Sequence, residues 1–517
     1  MADPAQNAAP KKAPPPLHGA PLALLTIAVA FATFMEVLDI TIVNVSVPHI
    51  AGSLAVSPQE GTWAISSYSL ASAIMQPLSG WIGRRFGEVK SFCVSTVLFV
   101  VMSMFCGLAV SMPMLVVGRL LQGAGSGPMV ALSLSLLLNN YPNEKKGLAL
   151  ALWARTVVVA PIFGPILGGY LTDNYSWPWI FYINAPVGLL AAVVTWTLLR
   201  TRESVTVKAP IDVIGLVLLI VGVGCLQFML DNGNDKDWFS SPMITTLGII
   251  AVVCITFFVA WELTEKHPVV DLSLFKRRNF TIGVIAMALG MTAFFGINVV
   301  YPLWLQTVAN YTASWAGYAT APVGILAFLM SPIIGRNIQR LELRAVVTFS
   351  FLVFAGTSYW FSTFPLDTSF WQFVLPRFLM GLAIPCFFIP LNQVILSGLK
   401  PTEIASASGL SNFFRTIAAS ISTAVTVTMW QHRGDFHHAT LAEHVTNASS
   451  ATQQFIQGLA PTGEAAWSVI ERTVNREALT LAVNDVFLLY AGLFIVMIPI
   501  VWLARPPFGN VGPGAAH

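Results

Sequence analysis

Fourteen apolar runs of membrane-spanning length limit what this chain can fold into more than any other feature. A helix needs about 20 mainly apolar residues to cross a bilayer. Only 10% of the residues are charged and the mean hydropathy is +0.71, whereas about a quarter of a soluble domain is charged. The sequence therefore excludes a large soluble enzyme and predicts an all-α integral membrane protein with 14 transmembrane helices. The runs lie near 21–47, 62–82, 92–110, 114–138, 148–171, 179–199, 211–230, 243–262, 280–305, 317–335, 345–363, 371–397, 404–430 and 483–504.

The distribution of Lys and Arg predicts the orientation in the membrane. With the N-terminus placed in the cytoplasm, 19 of the 27 basic residues fall on the cytoplasmic side, four fall outside, and four lie within spans. Cytoplasmic loops are enriched in Lys and Arg, so both termini are expected in the cytoplasm. A net charge of +3 is too balanced to indicate nucleic-acid binding.

The chain also carries an internal repeat. Four pairs of sequence features recur in the same order at offsets between 252 and 260 residues: Trp63 with Trp315, Pro77–Gly80 with Pro332–Gly335, Arg119–Gly123 with Arg377–Gly381, and Arg155–Thr156 with Arg415–Thr416. Spans one to six thus correspond to spans nine to fourteen, and spans seven and eight are an insertion. Two six-helix halves in parallel repeat are the arrangement of major facilitator transporters.

The repeat divides the chain into segments. We expect a disordered cytoplasmic tail, an N-terminal six-helix bundle, two linking transmembrane helices, a C-terminal six-helix bundle with a long periplasmic loop, and a short cytoplasmic tail. In that order the segments are 1–20, 21–205, 206–265, 266–505 with its loop at 431–482, and 506–517.

Two acids within the first span point to a function. Glu36 and Asp39 are three residues apart, so one face of a helix presents both. An ionised side chain at that depth costs at least about 2.5–3.5 kcal/mol and generally marks a functional site. Arg119 in the fourth span cannot lose its proton and needs an acceptor. An acid that gains and loses a proton beside such a cation is suited to proton-coupled transport; the alternative is a static buried pair.

Glycines and prolines concentrate in the fourth and fifth spans, where they allow close helix packing. These residues are Gly123 and Gly127 in the fourth span, where Gln122 precedes them, and Pro161, Gly164, Pro165, Gly168 and Gly169 in the fifth. The further arginines within spans, Arg155, Arg377 and Arg415, are interpreted as structural buried charges.

Metal and disulfide chemistry find little support in the sequence. All five cysteines lie within apolar runs, and the histidines of 431–482 are spaced unlike a metal site. A membrane-embedded enzyme stays an alternative that depends on those histidines alone, and we expect no metal.

The motifs of the transmembrane helices together resemble those of the fourteen-span drug/proton antiporters of the EmrB type, within the major facilitator superfamily. The resemblance runs almost end to end and is carried by Leu38–Pro48 in the first helix, Arg119–Gly127 in the fourth, Gly164–Gly169 in the fifth and Trp177–Pro186 at the start of the sixth. In this family the proton-linked acid corresponds to Asp39 and the buried arginine to Arg119. The fifth-helix motif is typical of exporters and is lacking in symporters.

The resemblance implies proton-driven efflux of hydrophobic drugs and antibiotics across the bacterial inner membrane, powered by the proton gradient without a cofactor. It also implies a tripartite pump with an EmrA-type periplasmic adaptor and a TolC-type outer-membrane channel. Uptake of a small nutrient by proton symport on the same fold remains the alternative.

One loop departs from the wider superfamily pattern. The gate loop after the second span contains Gly80, Arg84, Arg85 and Gly87. The superfamily has Asp where Arg84 stands, so the usual Asp-based charge relay is not expected here.

Overall fold

The computed structural model describes residues 15–56, 58–207, 210, 212–266, 268–446, 452–454 and 464–508. The predicted N-terminal tail lies outside the described residues up to position 14, and the C-terminal tail lies outside them from position 509. Two hydrogen bonds hold the residues just before the first helix. The Leu17 N–H donates to the Asn140 carbonyl oxygen, and Arg202 Nη1 donates to the Pro15 carbonyl oxygen.

The regular elements of the described residues are helices. They are α1 (Gly19–Ser53), α2 (Pro58–Gly61), α3 (Trp63–Met75), α4 (Ser79–Phe86), α5 (Glu88–Gly107), α6 (Met112–Asn140), α7 (Lys146–Asn174), α8 (Trp179–Tyr182), α9 (Asn184–Leu199), α10 (Val213–Asn232), α11 (Pro242–Thr264), α12 (Arg278–Thr307), α13 (Ala313–Thr320), α14 (Val323–Asn337), α15 (Leu343–Phe361), α16 (Phe370–Ile395), α17 (Ile404–Ala442) and α18 (Glu464–Trp502). Short 3₁₀ turns occupy Asn143–Lys145, Asn234–Lys236, Trp238–Ser240, Leu272–Lys276 and Pro401–Glu403.

Eleven helices among the described residues are long and apolar enough to cross a membrane. The chain is therefore a multi-pass membrane protein. The other three predicted spans, 62–82, 148–171 and 404–430, fall on α3 with α4, on α7 and on α17. The count of fourteen stays a prediction. The span at 62–82 is divided between two helices around Pro77, which lacks the N–H that a continuous helix needs.

The segment expected to be a long periplasmic loop, 431–482, is largely helical. The helix α17 continues to Ala442 and α18 begins at Glu464, so only 443–463 separates them. Both extensions are polar, and they contact each other through side chains, for example between His438 and Glu471 at 2.8 Å. Polar residues with helical spacing formed helices here because two neighbouring extensions cover one another.

The helices form two bundles. In the first, α1 packs on α7 and α9, and α6 packs on α3 and α5; in the second, α12 packs on α17 and α18, and α15 on α16 and α18. The linking pair, α10 and α11, packs mainly on itself, with α10 also touching α3 and α17. The bundles meet where α7 contacts α14 and where α17 contacts α4 and α6.

The peripheral helices expose apolar faces that would contact the lipid bilayer. Only 17% of the most apolar part of α11 is buried in the protein, and its outward residues include Ile249, Val252 and Phe257. A continuous exposed apolar surface of this kind is unfavourable in water and favourable against hydrocarbon.

Candidate functional site

The carboxylate of Asp39 lies in a closed polar pocket within the first bundle. Asp39 is on α1, Arg119 and Gln122 are on α6, and Asn184 begins α9; the exposed fraction of each side chain is between 0 and 1%. Arg119 Nη1 donates to Asp39 Oδ2. Gln122 Nε2 and Asn184 Nδ2 each donate to Asp39 Oδ1 at 3.0 Å. Three donors thus converge on a single buried carboxylate, which satisfies the requirement that a buried charge be paired and hydrogen-bonded.

Arg119 has partners besides Asp39. Its Nε donates to the Ala64 carbonyl oxygen at 2.7 Å, and its Nη1 also reaches Gln122 Oε1 at 2.8 Å. The ring of Tyr68 lies 4.2 Å from the guanidinium carbon, close enough for a cation–π interaction. These contacts hold the guanidinium through groups other than Asp39.

Glu36 lies outside this pocket although it shares a face of α1 with Asp39. It is 4% exposed, and the opposite charge acting on it is Arg415 on α17, in the second bundle. The two acids therefore differ: Asp39 pairs directly with Arg119 in its own bundle, whereas Glu36 is attracted over a longer distance by Arg415 of the other bundle and repelled by Asp39.

Glycines bring α3 and α7 against the elements that carry the site. A methyl group on Gly123 would lie 2.3 Å from the Tyr68 carbonyl oxygen, and one on Gly127 would lie 2.6 Å from Met75 Cβ. These glycines of α6 allow the close approach of α3, whose Ala64 and Tyr68 hold Arg119.

The fifth-span glycines make the same kind of contact with α1. A methyl group on Gly164 would overlap Thr41, and one on Gly168 would lie 2.8 Å from the Ile42 carbonyl oxygen, whereas Gly169 has nothing within 4 Å. The backbone is helical at Pro161 and Pro165, but their side chains lie outside the part that the structure describes. The motif therefore presses α7 onto the turn of α1 that follows Asp39.

The gate loop joins the two bundles through Arg84. Arg84 Nη1 donates to Ser406 Oγ on α17 at 3.0 Å, and a methyl group on Gly80 would overlap Ser406. Arg84 thus makes a contact to the other bundle at the position where the superfamily has Asp. Arg85 lies over the rings of Trp81 and Phe86.

The turn that closes this loop is built on glycine and a carboxylate. Gly87 has a φ of +93°, and a methyl group there would lie 2.4 Å from Glu203 Cδ. The Glu203 oxygens accept the backbone N–H groups of Val89 and Lys90, each at 2.9 Å. Glu203, which follows α9, thereby places a negative charge at the N-terminus of α5, where the helix dipole favours it.

Comparison with known proteins places this geometry in a family. Residues 29–423 match the profile of the Major Facilitator Superfamily. The multidrug export protein EmrB of Escherichia coli (strain K12) is 49% identical over 508 residues, covering 97% of this chain and 99% of that protein. The chain is an EmrB-type member of the major facilitator superfamily.

Other relatives extend the comparison. The fatty acid resistance protein FarB of Neisseria gonorrhoeae is 47% identical over 503 residues, covering 97% of this chain and 99% of that protein. A solved structure of the proton:xylose symporter XylE superposes with a TM-score of 0.58 at 15% identity, covering 94% of this chain and 96% of XylE. That likeness shows the fold, and the predicted major facilitator fold is confirmed.

Two of the other arginines within spans of this EmrB-type chain, Arg155 and Arg377, make specific contacts. Arg155 on α7 lies over the ring of Phe328 on α14, 3.1 Å from its centre, so it reaches the other bundle. Arg377 on α16 stays within its own bundle and donates to Asn298 Oδ1 at 2.8 Å.

Several polar residues make contacts that the sequence does not predict. Asn184 lies within the motif that starts the sixth helix, and its role as a donor to Asp39 follows from the structure. Gln76 and Thr416 also join the bundles, with Thr416 Oγ1 donating to Gln76 Oε1 at 3.0 Å. The available signal was the same for all three: a polar side chain within an apolar helix has to find a partner.

Among the described residues, no three His, Cys, Asp or Glu side chains are grouped so that they could hold a metal ion. Two of the histidines in 431–438 contact carboxylates of α18: His437 contacts Asp485, and His438 contacts Glu471, each at 2.8 Å.

Proposed function

We propose that this protein exports hydrophobic compounds, including antibiotics, in exchange for protons, and that Asp39 carries the proton. The observation that supports this most directly is the enclosure of the Asp39 carboxylate by Arg119, Gln122 and Asn184. A relative that is 49% identical over nearly the whole chain is a multidrug export protein.

Proton binding would change the forces inside the pocket. The ionised carboxylate attracts Arg119 of α6 and accepts from Asn184 of α9. A neutral carboxyl group loses the charge-assisted part of these bonds, which are about twice as strong as neutral ones. Protonation of Asp39 therefore weakens the links of α1 to α6 and α9, while Arg119 keeps its contacts with Ala64 and Tyr68.

Glu36 provides a route from this pocket to the interface between the bundles. It lies one helical turn from Asp39, and Arg415 of the other bundle attracts it electrostatically. A shift of α1 on protonation of Asp39 would move Glu36 relative to Arg415. The attraction between the bundles would then depend on the proton carried inside one of them, as alternating access requires.

The close contacts between the bundles favour one conformational state. They include Gly80 against Ser406 and Gly147 against Gly335, together with the Arg84–Ser406 hydrogen bond. These residues lie at the basic, cytoplasmic end by the charge distribution. We infer that this conformation is closed to the cytoplasm.

The direction of transport is proposed from the fifth-span motif, whose Gly164 and Gly168 pack on α1 beside the proton site. In everted membrane vesicles energised to be acidic inside, we expect wild-type protein to accumulate fluorescent lipophilic compounds, tested as one cationic, one neutral and one acidic dye. Asp39→Asn should abolish this accumulation, with Asp435→Asn on the outer extension as the matched control. Accumulation at the wild-type rate in Asp39→Asn would refute the role of Asp39. Proton-driven movement out of the vesicles would favour the symport alternative.

We further propose that the chain lies in the bacterial inner membrane with both termini cytoplasmic and works with an EmrA-type adaptor and a TolC-type channel. The helical extensions of α17 and α18, on the predicted outer side, offer a surface at the place where a periplasmic adaptor would meet the transporter. Co-purification of the adaptor with wild-type protein, and its loss when Phe436, 56% exposed, is changed to Asp, would support this assembly. Retained co-purification with that variant would remove the extensions from the interface.

A further inference from the structure

The second bundle contains a counterpart of the Asp39 pocket. Arg377 of α16 donates through Nη2 to Asn298 of α12 at 2.8 Å, and its Nη1 contacts Met380 Sδ at 3.3 Å. Arg119 of α6 makes the same two contacts, with Asp39 of α1 and with Gln122 three residues further along.

The internal repeat relates the two sets residue by residue. Arg377 and Met380 each follow their counterparts, Arg119 and Gln122, by 258 positions, and Asn298 follows Asp39 by 259. These offsets lie within the range of 252 to 260 that relates the other repeated features. The two halves therefore hold an arginine of the fourth helix against a side chain of the first helix in the same way.

The two sites differ in chemistry at the decisive position. Asp39 can bind a proton, whereas the amide of Asn298 accepts the same hydrogen bond without titrating. Met380, a weak acceptor, stands where Gln122 helps to hold the carboxylate. The second site thus keeps the cation and loses the proton carrier.

Arg377 has no carboxylate to balance it in the part of the chain that the structure describes. It is 0% exposed, and its Nε is buried without a hydrogen-bond partner. The ring of Tyr301 lies 4.8 Å from its guanidinium carbon. The titratable groups that face this site are tyrosines: Tyr301 acts on Arg377, Tyr311 acts on Tyr301, and Tyr490 of α18 lies beside Gly296, two residues before Asn298.

We propose that the C-terminal half carries a fixed-charge copy of the proton site, and that Asn298 is the residue that excludes this half from proton exchange. This inference rests on the proposed role of Asp39. The guanidinium of Arg377 does not lose its proton, and the tyrosines around it stay protonated at working pH. The charge of this site is therefore constant throughout the cycle. All changes of charge between these paired sites then occur in the N-terminal half.

The inference is tested by exchanging the two side chains. Infrared difference spectra between acidic and alkaline buffers, recorded on the full-length protein in liposomes without any drug, report carboxyl groups that gain or lose a proton. Asn298→Asp should add one titrating carboxyl band to the wild-type spectrum, and Asp39→Asn should remove one. The double variant should restore the number of bands found in wild type, because the titrating group has moved from one half to the other.

The outcomes separate the two claims. If Asn298→Asp adds no band, the inference is overturned, because the second site is then silent for a reason other than Asn298. If Asp39→Asn removes no band, the proposed role of Asp39 fails while the first comparison still reports on Asn298.

A second pair of variants tests whether Asn298 positions Arg377, should Asn298→Asp fail to insert. Asn298→Leu removes the acceptor from a buried cation and should lower the thermal midpoint of the purified protein, and Asn298→Leu with Arg377→Gln should recover at least half of that loss. An unchanged midpoint in Asn298→Leu, or no recovery in the double variant, would contradict the pairing.

Discussion

At the scale of single residues, a buried charge is tolerated when it is paired and hydrogen-bonded. Asp39 has three donors from two other helices, and hydrogen bonds to charged groups contribute about 1.5–3 kcal/mol each. The sequence predicts that Arg119 needs an acceptor and leaves Glu36 and Asp39 as the two candidates. It did not predict Asn184 as a donor, because the pairing joins residues that are far apart along the chain and depends on how α9 packs.

Replacement of Arg119 by Lys tests whether geometry matters as well as charge. Arg119 reaches Asp39, Gln122 and the Ala64 carbonyl oxygen at once, and the compact ammonium of Lys cannot reproduce this fork. We expect Arg119→Lys to lower proton-driven drug accumulation in vesicles at least tenfold with normal membrane insertion. Lys90→Arg, at an exposed position on α5, serves as the control, and wild-type accumulation in Arg119→Lys would show that charge alone suffices.

Glu36 and Arg415 test the coupling between bundles. Removing one partner leaves the other as an uncompensated buried charge, which is more damaging than removing both. We expect Arg415→Leu to destabilise the protein and Glu36→Gln with Arg415→Leu to be more stable than Arg415→Leu alone. Thermal unfolding of the four proteins in a double-mutant cycle should give an interaction of about 0.5–3 kcal/mol. Additive effects would mean that the two side chains do not interact.

At the scale of helices, the glycines of α7 set how closely it approaches α1. Gly164 and Gly168 lie against Thr41 and Ile42, and Gly169 faces open space. The sequence predicted close packing for this whole motif, but it could not tell which glycines form the contact, because that depends on the rotation of α7 about its axis.

This difference supplies a matched pair of variants. Gly164→Leu should lower stability by about 1–3 kcal/mol, as overpacking of a close contact does, and should abolish drug accumulation. Gly169→Leu, five residues along the same helix, should leave both unchanged. Thermal unfolding and vesicle transport measure the two effects, and equal losses in both variants would show that general helix propensity, not the contact with α1, is responsible.

The segment 431–482 marks a limit of sequence reasoning at this scale. Its polar residues predict a loop, yet most of the segment extends α17 and α18. Hydropathy detects where a helix leaves hydrocarbon, not where it ends. The partners that stabilise these extensions, such as Asp485 for Arg433 and His437, are about fifty positions away along the chain.

At the scale of the whole molecule, the two repeated halves could be predicted from the sequence. Each span is about as long as a bilayer is thick, and four features recur at nearly the same offset, between 252 and 260 residues. The conformational state did not follow, since it depends on which ends of the two bundles touch. That contact is carried by small residues, including Gly80, Gly147 and Gly335, which leave only a weak signal in a sequence rich in glycine.

A cross-link tests the closed end. A Cβ atom at Gly80 would lie 2.6 Å from Ser406 Cβ, so a small outward shift reaches the separation of about 3.5–4.5 Å that a disulfide needs. Oxidised Gly80→Cys with Ser406→Cys should lose drug accumulation, and reduction should restore it, whereas each single variant should be insensitive to oxidant. Transport by the cross-linked protein would show that this end does not have to open.

The central claim, that Asp39 carries the exchanged proton, is tested most directly by measuring proton movement in proteoliposomes that contain a pH-sensitive dye. When a gradient of a fluorescent lipophilic compound is imposed across the membrane, wild-type protein should drive protons in the opposite direction. The Asp39→Asn variant should still let the compound cross the membrane down its gradient, but it should move no protons. Proton movement at the wild-type rate in Asp39→Asn would contradict the account.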